Sequence, residues 1–301
     1  MSGEFSKIDF AEAKARFERE AILRTVPTGR YRARTWTWGS GPDLLLIHGM
    51  ADRSDSFLLL ASALSRHFRC IGYDLPGAQA QDGARLFRYH HHHLVHDAIA
   101  VLDAVNSQSA TVLGSSFGST IAQKLLLRYP HRFLAGILQG GFAYRPIGWK
   151  YRLLAALARF APKRPLIRFR PYPKILKKVH GPGGFDQRGP EVWDWFLRCV
   201  GDTVLPTLAH QALMISGIDH RPLLKGITQP VLIISGELDK TVDERANQPL
   251  LDLLPRATHE RMAQCGHVPC YTHPEKMAEI ILQFHQQVVS PTSSHPNRGM
   301  P

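Results

Sequence analysis

Ala110-Thr-Val-Leu-Gly114-Ser-Ser116-Phe-Gly118-Ser-Thr-Ile121 is the stretch from which the rest of the chain is read. Ala110–Leu113 is a short apolar run, as in a strand buried on both faces. Ser119–Tyr129 carries Ile121, Leu125 and Tyr129 on one side and stops at Pro130, as a helix does. Between them stands G-x-S-x-G with Ser116 at its centre. A serine on a sharp strand-to-helix turn has a strained backbone, and neighbours two positions away come too close to carry a Cβ. Such a turn thrusts Oγ into the open at the carboxyl edge of a sheet, beside a helix N-terminus. The bare pentapeptide also suits a plain Gly/Ser turn; the strand before it and the helix after it favour the nucleophile.

Outward from this turn the pattern repeats. Asp43–Ile47, Arg69–Tyr73, Leu134–Leu138 and Val231–Ser235 are further continuous apolar runs, and His259–Met262 is a weaker one. Helical spacing separates them over Ser56–His67, Ser119–Tyr129 and Pro274–Val288. Alternating strands and helices predict βαβ units and a parallel sheet, hence an α/β fold.

Three other strand ends carry groups that serve a nucleophilic serine. His48-Gly49-Met50 follows the first run, and the Met50 backbone N–H is expected to pair with that of Phe117 as a two-donor oxyanion hole. His48 itself reads as structural. Ser235-Gly-Glu-Leu-Asp239 follows the Val231 run. Asp239 is the favoured acid to accept a histidine Nδ1–H, with Glu237 and Asp243 as rivals and Asp243 looking like a helix cap. Gln264-Cys-Gly-His267 lies in a loop after the last strand and before the last helix, which singles His267 out of 16 histidines as the general base.

The chain order Ser116…Asp239…His267, with the His48-Gly49 turn upstream, resembles the α/β-hydrolase superfamily, serine-nucleophile branch. The resemblance runs from about Arg34 to Gln286 and includes Gly72-Tyr-Asp74-Leu-Pro76-Gly77. It implies an eight-stranded, mostly parallel sheet flanked by helices, with a helical cap inserted after the sixth strand. It implies acyl transfer through an acyl-enzyme on Ser116, acting on a small-molecule carboxylic ester with no metal or organic cofactor. Carbon–carbon bond, amide or thioester hydrolysis on the same triad is the alternative, and a non-catalytic ligand-binding relative a further one. One departure is visible: where the family continues after Pro-Gly with a Gly-His-Gly-like turn, this chain has Ala78-Gln-Ala-Gln-Asp82.

The expected division is a helical N-terminal extension over 1–30, a core over 31–141 and 227–289, a basic helical cap over 142–226, and a flexible tail over 290–301. Charge supports the cap as a separate unit. Residues 145–190 hold 12 Lys/Arg against Asp186 alone, so this segment carries nearly all of the net charge of +12. The cap is expected either to be a lid whose basic side is merely solvated or to dock on an anionic membrane surface or an acidic substrate. It carries no recognised nucleic-acid motif, so no nucleic-acid partner is expected. The chain lacks a bilayer-length apolar run, and its start, with early acids, has no apolar signal core, which predicts a cytoplasmic protein, at most peripheral to a membrane. Cys70, Cys199, Cys265 and Cys270 match no metal spacing and read as buried thiols. Tyr89-His-His-His-His93 followed by His96 reads either as a solvated helix start or as adventitious metal affinity.

Overall fold

The expected strands are ordered by the side on which their residues bury. In the computed structural model, which describes residues 6–79 and 82–289, Leu44 and Leu46 enter one apolar core while Leu45 and Ile47 enter another on the opposite face. A strand with a core on each side has no polar positions to alternate, which is why its sequence is a continuous apolar run. The sheet is built from β1 (Ile22–Pro27), β2 (Arg32–Trp38), β3 (Asp43–Ile47), β4 (Arg69–Tyr73), β5 (Ala110–Ser115), β6 (Phe133–Gln139), β7 (Val231–Gly236) and β8 (Ala257–Met262). Their order is β1-β2-β4-β3-β5-β6-β7-β8; β2 runs antiparallel to β1 and β4, and the remaining pairings are parallel. Parallel strands end on one edge, so the loops after β3, β5, β6, β7 and β8 open to the same side.

Helices α1 (Phe10–Glu20), α2 (Leu58–Leu64) and α11 (Pro274–Val289) cover one face, and α3 (His91–Ala104) and α4 (Phe117–Arg128) cover the other. The chain between β6 and β7 forms α5 (Trp149–Ala158), α6 (Pro171–His180), α7 (Pro190–Gly201) and α8 (Leu205–Ser216). Two more helices, α9 (Glu244–Leu253) and the short α10 (Pro269–Thr272), lie beyond β7.

The expected helical extension over 1–30 needs correcting. Asp9 caps α1 by accepting the Glu12 N–H at 2.8 Å, and Phe17 packs edge-on against Trp36 and Trp38. The helix ends at Ala21, which is extended, and Ile22–Pro27 then pairs with β2. Only Val26 of this edge strand is buried, so its apolar pattern is too sparse to show beside the helix-like spacing before it. Arg32–Trp38 was equally unexpected as a strand. The expected flexible tail, 290–301, and positions 80–81 of the divergent loop lie outside the described residues.

The histidine tract opens α3. His90 is its N-cap, sharing a capping box with His93. Among the described residues no group of three or more His, Cys, Asp or Glu could hold a metal ion. All four cysteines are free and buried.

Candidate active site

The site begins with two glycines that leave no room for a side chain. A Cβ at Gly114 would come within 2.4 Å of the Gly118 carbonyl, and one at Gly118 within 2.3 Å of the Ile47 carbonyl. Their absence lets α4 start hard against the ends of β5 and β3. Ser116 between them has φ 50° and ψ −114°, a conformation that L-residues rarely hold. Its N–H donates to the Gln139 carbonyl at 2.8 Å, and the buried Gln139 side chain adds two further ties. The Ser115 hydroxyl donates to Gln139 Oε1 at 2.6 Å, and Gln139 Nε2 donates to the His267 carbonyl at 3.0 Å. One glutamine thus ties the serine turn to the histidine loop.

Asp239 and His267 meet directly. His267 Nδ1 lies 2.6 Å from Asp239 Oδ2, with both side chains almost fully buried. Asp239 Oδ1 accepts the N–H groups of Thr241 and Val242 at 2.7 and 2.9 Å. Burial disfavours the Asp239 carboxylate, but the hydrogen bond and charge of His267, together with the two backbone donors, outweigh it and hold the carboxyl below its ordinary value. An ionised Asp239 can only accept, so the proton shared by the pair sits on His267 Nδ1. Gly140, at φ 52°, makes room for this pair: a Cβ there would sit 2.9 Å from His267 Cε1. The two rival acids are elsewhere. Glu237 accepts the Gln264 N–H at 3.1 Å, and Asp243 caps α9 through the Ala246 N–H.

Gly49 brings the β3 turn up to the serine; a Cβ on it would stand 3.4 Å from Ser116 Cβ. His48 holds that turn. Its Nδ1 faces the Gly49 carbonyl at 2.9 Å and its Nε2 receives the Leu75 N–H at 2.9 Å. Burial lowers its pKa, with the Asp74 charge opposing, so the ring is neutral and fully used in structure. Asp74 accepts the Ser54 N–H and hydroxyl at 2.8 and 2.6 Å, fixing the chain just beyond.

Ser116, His267, Gly49 and Met50 line one cleft of about 250 Å³. The cap supplies most of its remaining wall: Tyr172, Ile175, Leu176 and Val179 from α6, and Phe196 from α7. His180, at the end of α6, stacks 6.0 Å from the His267 ring, and burial pushes its pKa down to about 4. The α6 end is pinned to the histidine loop, because the Gly266 N–H donates to the Gly183 carbonyl at 3.3 Å and a Cβ on Gly183 would lie 2.6 Å from Gly266 Cα. Asp52 also lines the cleft, its Oδ1 accepting the Arg53 N–H at 2.8 Å and the Tyr271 hydroxyl at 3.2 Å. Gln139, Gly140, His180 and Asp52 escaped the sequence reading. Gly140 follows a strand end, as Gly49 follows His48, and that position was its only signal.

A family model described as alpha/beta hydrolase fold matches residues 42–274. The chain belongs to that family. Similar proteins include several hydrolases. A pimeloyl-[acyl-carrier protein] methyl ester esterase of Nitrosomonas europaea is 28% identical over 253 residues, covering 80% of this chain and 94% of the relative. A 2-hydroxymuconate semialdehyde hydrolase of Pseudomonas putida is 25% identical over 281 residues, covering 87% and 94%. The crystal structure of a hydrolase from Pseudomonas aeruginosa superposes with a TM-score of 0.76 at 21% identity, covering 87% of this chain and 98% of that one. This α/β-hydrolase is therefore an enzyme of the hydrolase class. Among its described residues no helix is long and apolar enough to cross a membrane.

Proposed function

We propose that this α/β-hydrolase cleaves small carboxylic esters through an acyl-enzyme on Ser116. The carrying observation is the 2.6 Å contact of His267 Nδ1 with Asp239 Oδ2 in the cleft that Ser116 also lines. With Nδ1–H held by Asp239, the His267 Nε2 lone pair takes the Ser116 proton as Oγ attacks the ester carbonyl. The Met50 and Phe117 N–H groups hold the oxyanion, a role for which the Gly49 and Gly118 close approaches pack their backbones together. The C–O bond then breaks, the alcohol leaves with the proton from His267, and a water activated by the same nitrogen hydrolyses the acyl-enzyme. The apolar cap side chains and the modest volume favour a short acyl chain.

Ser116→Ala tests this reading. The parent is expected to be labelled covalently by a fluorophosphonate and to turn over p-nitrophenyl butyrate; the variant should show neither, with turnover down by several orders of magnitude. Equal labelling of both proteins, or a parent inert to both reagents, leaves a ligand-binding relative as the better reading.

A further inference from the structure

Helix α5 is packed the reverse way round for a lid segment of a globular protein. Its small residues Ala155, Ala156 and Ala158 are half-buried where it lies against α8. Its large apolar residues Trp149, Leu153, Leu154 and Leu157, with Phe160 just past its end, stand 54–83% exposed, and no residue of the helix is buried. At 3.6 residues per turn those five fall within one arc of about 140°, which Lys150 alone interrupts. Isolated exposed leucines are ordinary, but an apolar stripe turned to water marks a surface that meets something apolar.

The charge around the stripe indicates what that is. Lys150 and Arg152 on α5, Arg164 and Arg168 just beyond it, and Lys174 and Lys177 on α6 are exposed. None of these six has an ion-pair partner among the described residues, whereas Arg53 pairs with Asp202 at 3.0 Å and Arg221 with Asp219 at 2.6 Å. The Lys150 ammonium lies 5.7 Å from the Trp149 ring and the Arg159 guanidinium 5.8 Å from the Phe160 ring, which interleaves cation and aromatic along the stripe. Next to α5 a cavity of about 550 Å³ is lined by Pro162, Arg164, Leu166, Arg168, Phe169 and Leu205, again apolar walls with guanidinium groups.

We propose that the outer face of α5 docks on an anionic phospholipid bilayer, its apolar stripe entering the interface and its cations resting among the headgroups. A helix with one apolar arc and flanking Lys/Arg lies in that plane, and the negative surface potential attracts each nearby cation. An acidic protein would satisfy the cations but leave the stripe of five large side chains unexplained. The bilayer satisfies both.

Sedimentation of the full chain with vesicles tests the proposal without reading turnover, so failure here leaves the serine-hydrolase reading untouched. Phosphatidylcholine/phosphatidylglycerol vesicles should carry the protein down at low salt, and pure phosphatidylcholine vesicles should not. High salt should release it, because the attraction is screened. Lys150→Gln and Arg152→Gln should each weaken partition on the order of fivefold. Leu153→Ser combined with Leu157→Ser should abolish it while the unfolding midpoint shifts by no more than a few degrees, since both side chains are more than half exposed. Equal sedimentation with the two vesicle types, or none with either, overturns the proposal. So does tight binding to an acidic acyl carrier protein that survives the double leucine substitution.

Discussion

Two rows of large apolar side chains in this chain meet opposite fates. Leu44–Ile47 in β3 are fully buried, each in contact with a core, while Leu153, Leu154 and Leu157 in α5 are mostly in water. By composition the two rows are alike, so hydrophobicity alone does not distinguish them. What differs is where the chain sends them. β3 is flanked by β4 and β5, with helices on both faces, whereas α5 rests on α8 through alanines. The first row makes the sheet edge stiff enough to hold Ser116 at φ 50° and His267 against Asp239. The second row contributes little to that edge, which leaves the cap surface free to carry another task.

The sheet edge should be the more fragile of the two to a change of a single atom. Asp239→Asn replaces an acceptor-only carboxylate with a group that can also donate, so the Nδ1 proton of His267 is no longer enforced. The expected loss is on the order of 10⁴-fold in kcat, the size found for a lost orienting acid in a well-studied serine protease. Glu237→Gln and Asp243→Asn, whose carboxylates bond to loop and helix backbone instead, should stay within a few-fold of the parent. Steady-state kinetics on p-nitrophenyl butyrate decides it, and an inactive Glu237→Gln beside an active Asp239→Asn would reverse the assignment.

The same contrast should appear in stability. Leu46→Ala opens a cavity between β3 and the core beneath α2, and should cost about 2–5 kcal/mol. Leu154→Ala removes a side chain that is 60% exposed, and should stay within about 0.5 kcal/mol. Urea unfolding of the two variants measures both. A large loss from Leu154→Ala would mean that α5 buries this face against its own chain, which would also remove the basis for bilayer docking.

How legible each region was in the sequence follows the same division. The parallel strands, the serine turn, Asp239 and His267 were readable because a doubly buried strand must be continuously apolar and a crowded turn must be glycine on both sides. β1 was missed because a strand exposed at every position but Val26 carries only a sparse pattern, and β2 because its buried positions are Ala, Thr and Trp set beside arginines rather than an aliphatic run. Gln139 was invisible for another reason. Its hydrogen bonds to Ser115 and His267 span 24 and 128 positions, and no local spacing signals such a link. His180 was hidden likewise, because its approach to His267 depends on how the cap folds back over the sheet edge. The cap's charge was plain from composition, but which face of α5 turns outward is settled by the small alanines, whose role only packing reveals.

Asp52 offers the smallest and most discriminating measurement, because it sits where the two regions meet. Burial pushes its carboxyl up from 3.8 to about 7, against the opposing hydrogen bonds from the Arg53 N–H and Tyr271. The sign of the consequence follows from which state holds the proton. Between about 4 and 7 the unfolded chain has already lost it while the folded protein keeps it, so this group makes stability fall as pH rises through that window and adds no further slope above it. Asp52→Asn keeps an oxygen that accepts from both donors but cannot ionise. Its unfolding midpoint should therefore exceed the parent's by a few degrees at most at pH 8 and match it at pH 4. An equal shift at both pH values would show that the carboxylate is already ionised beneath the cap, and that the cleft floor is wetter than its apolar lining implies.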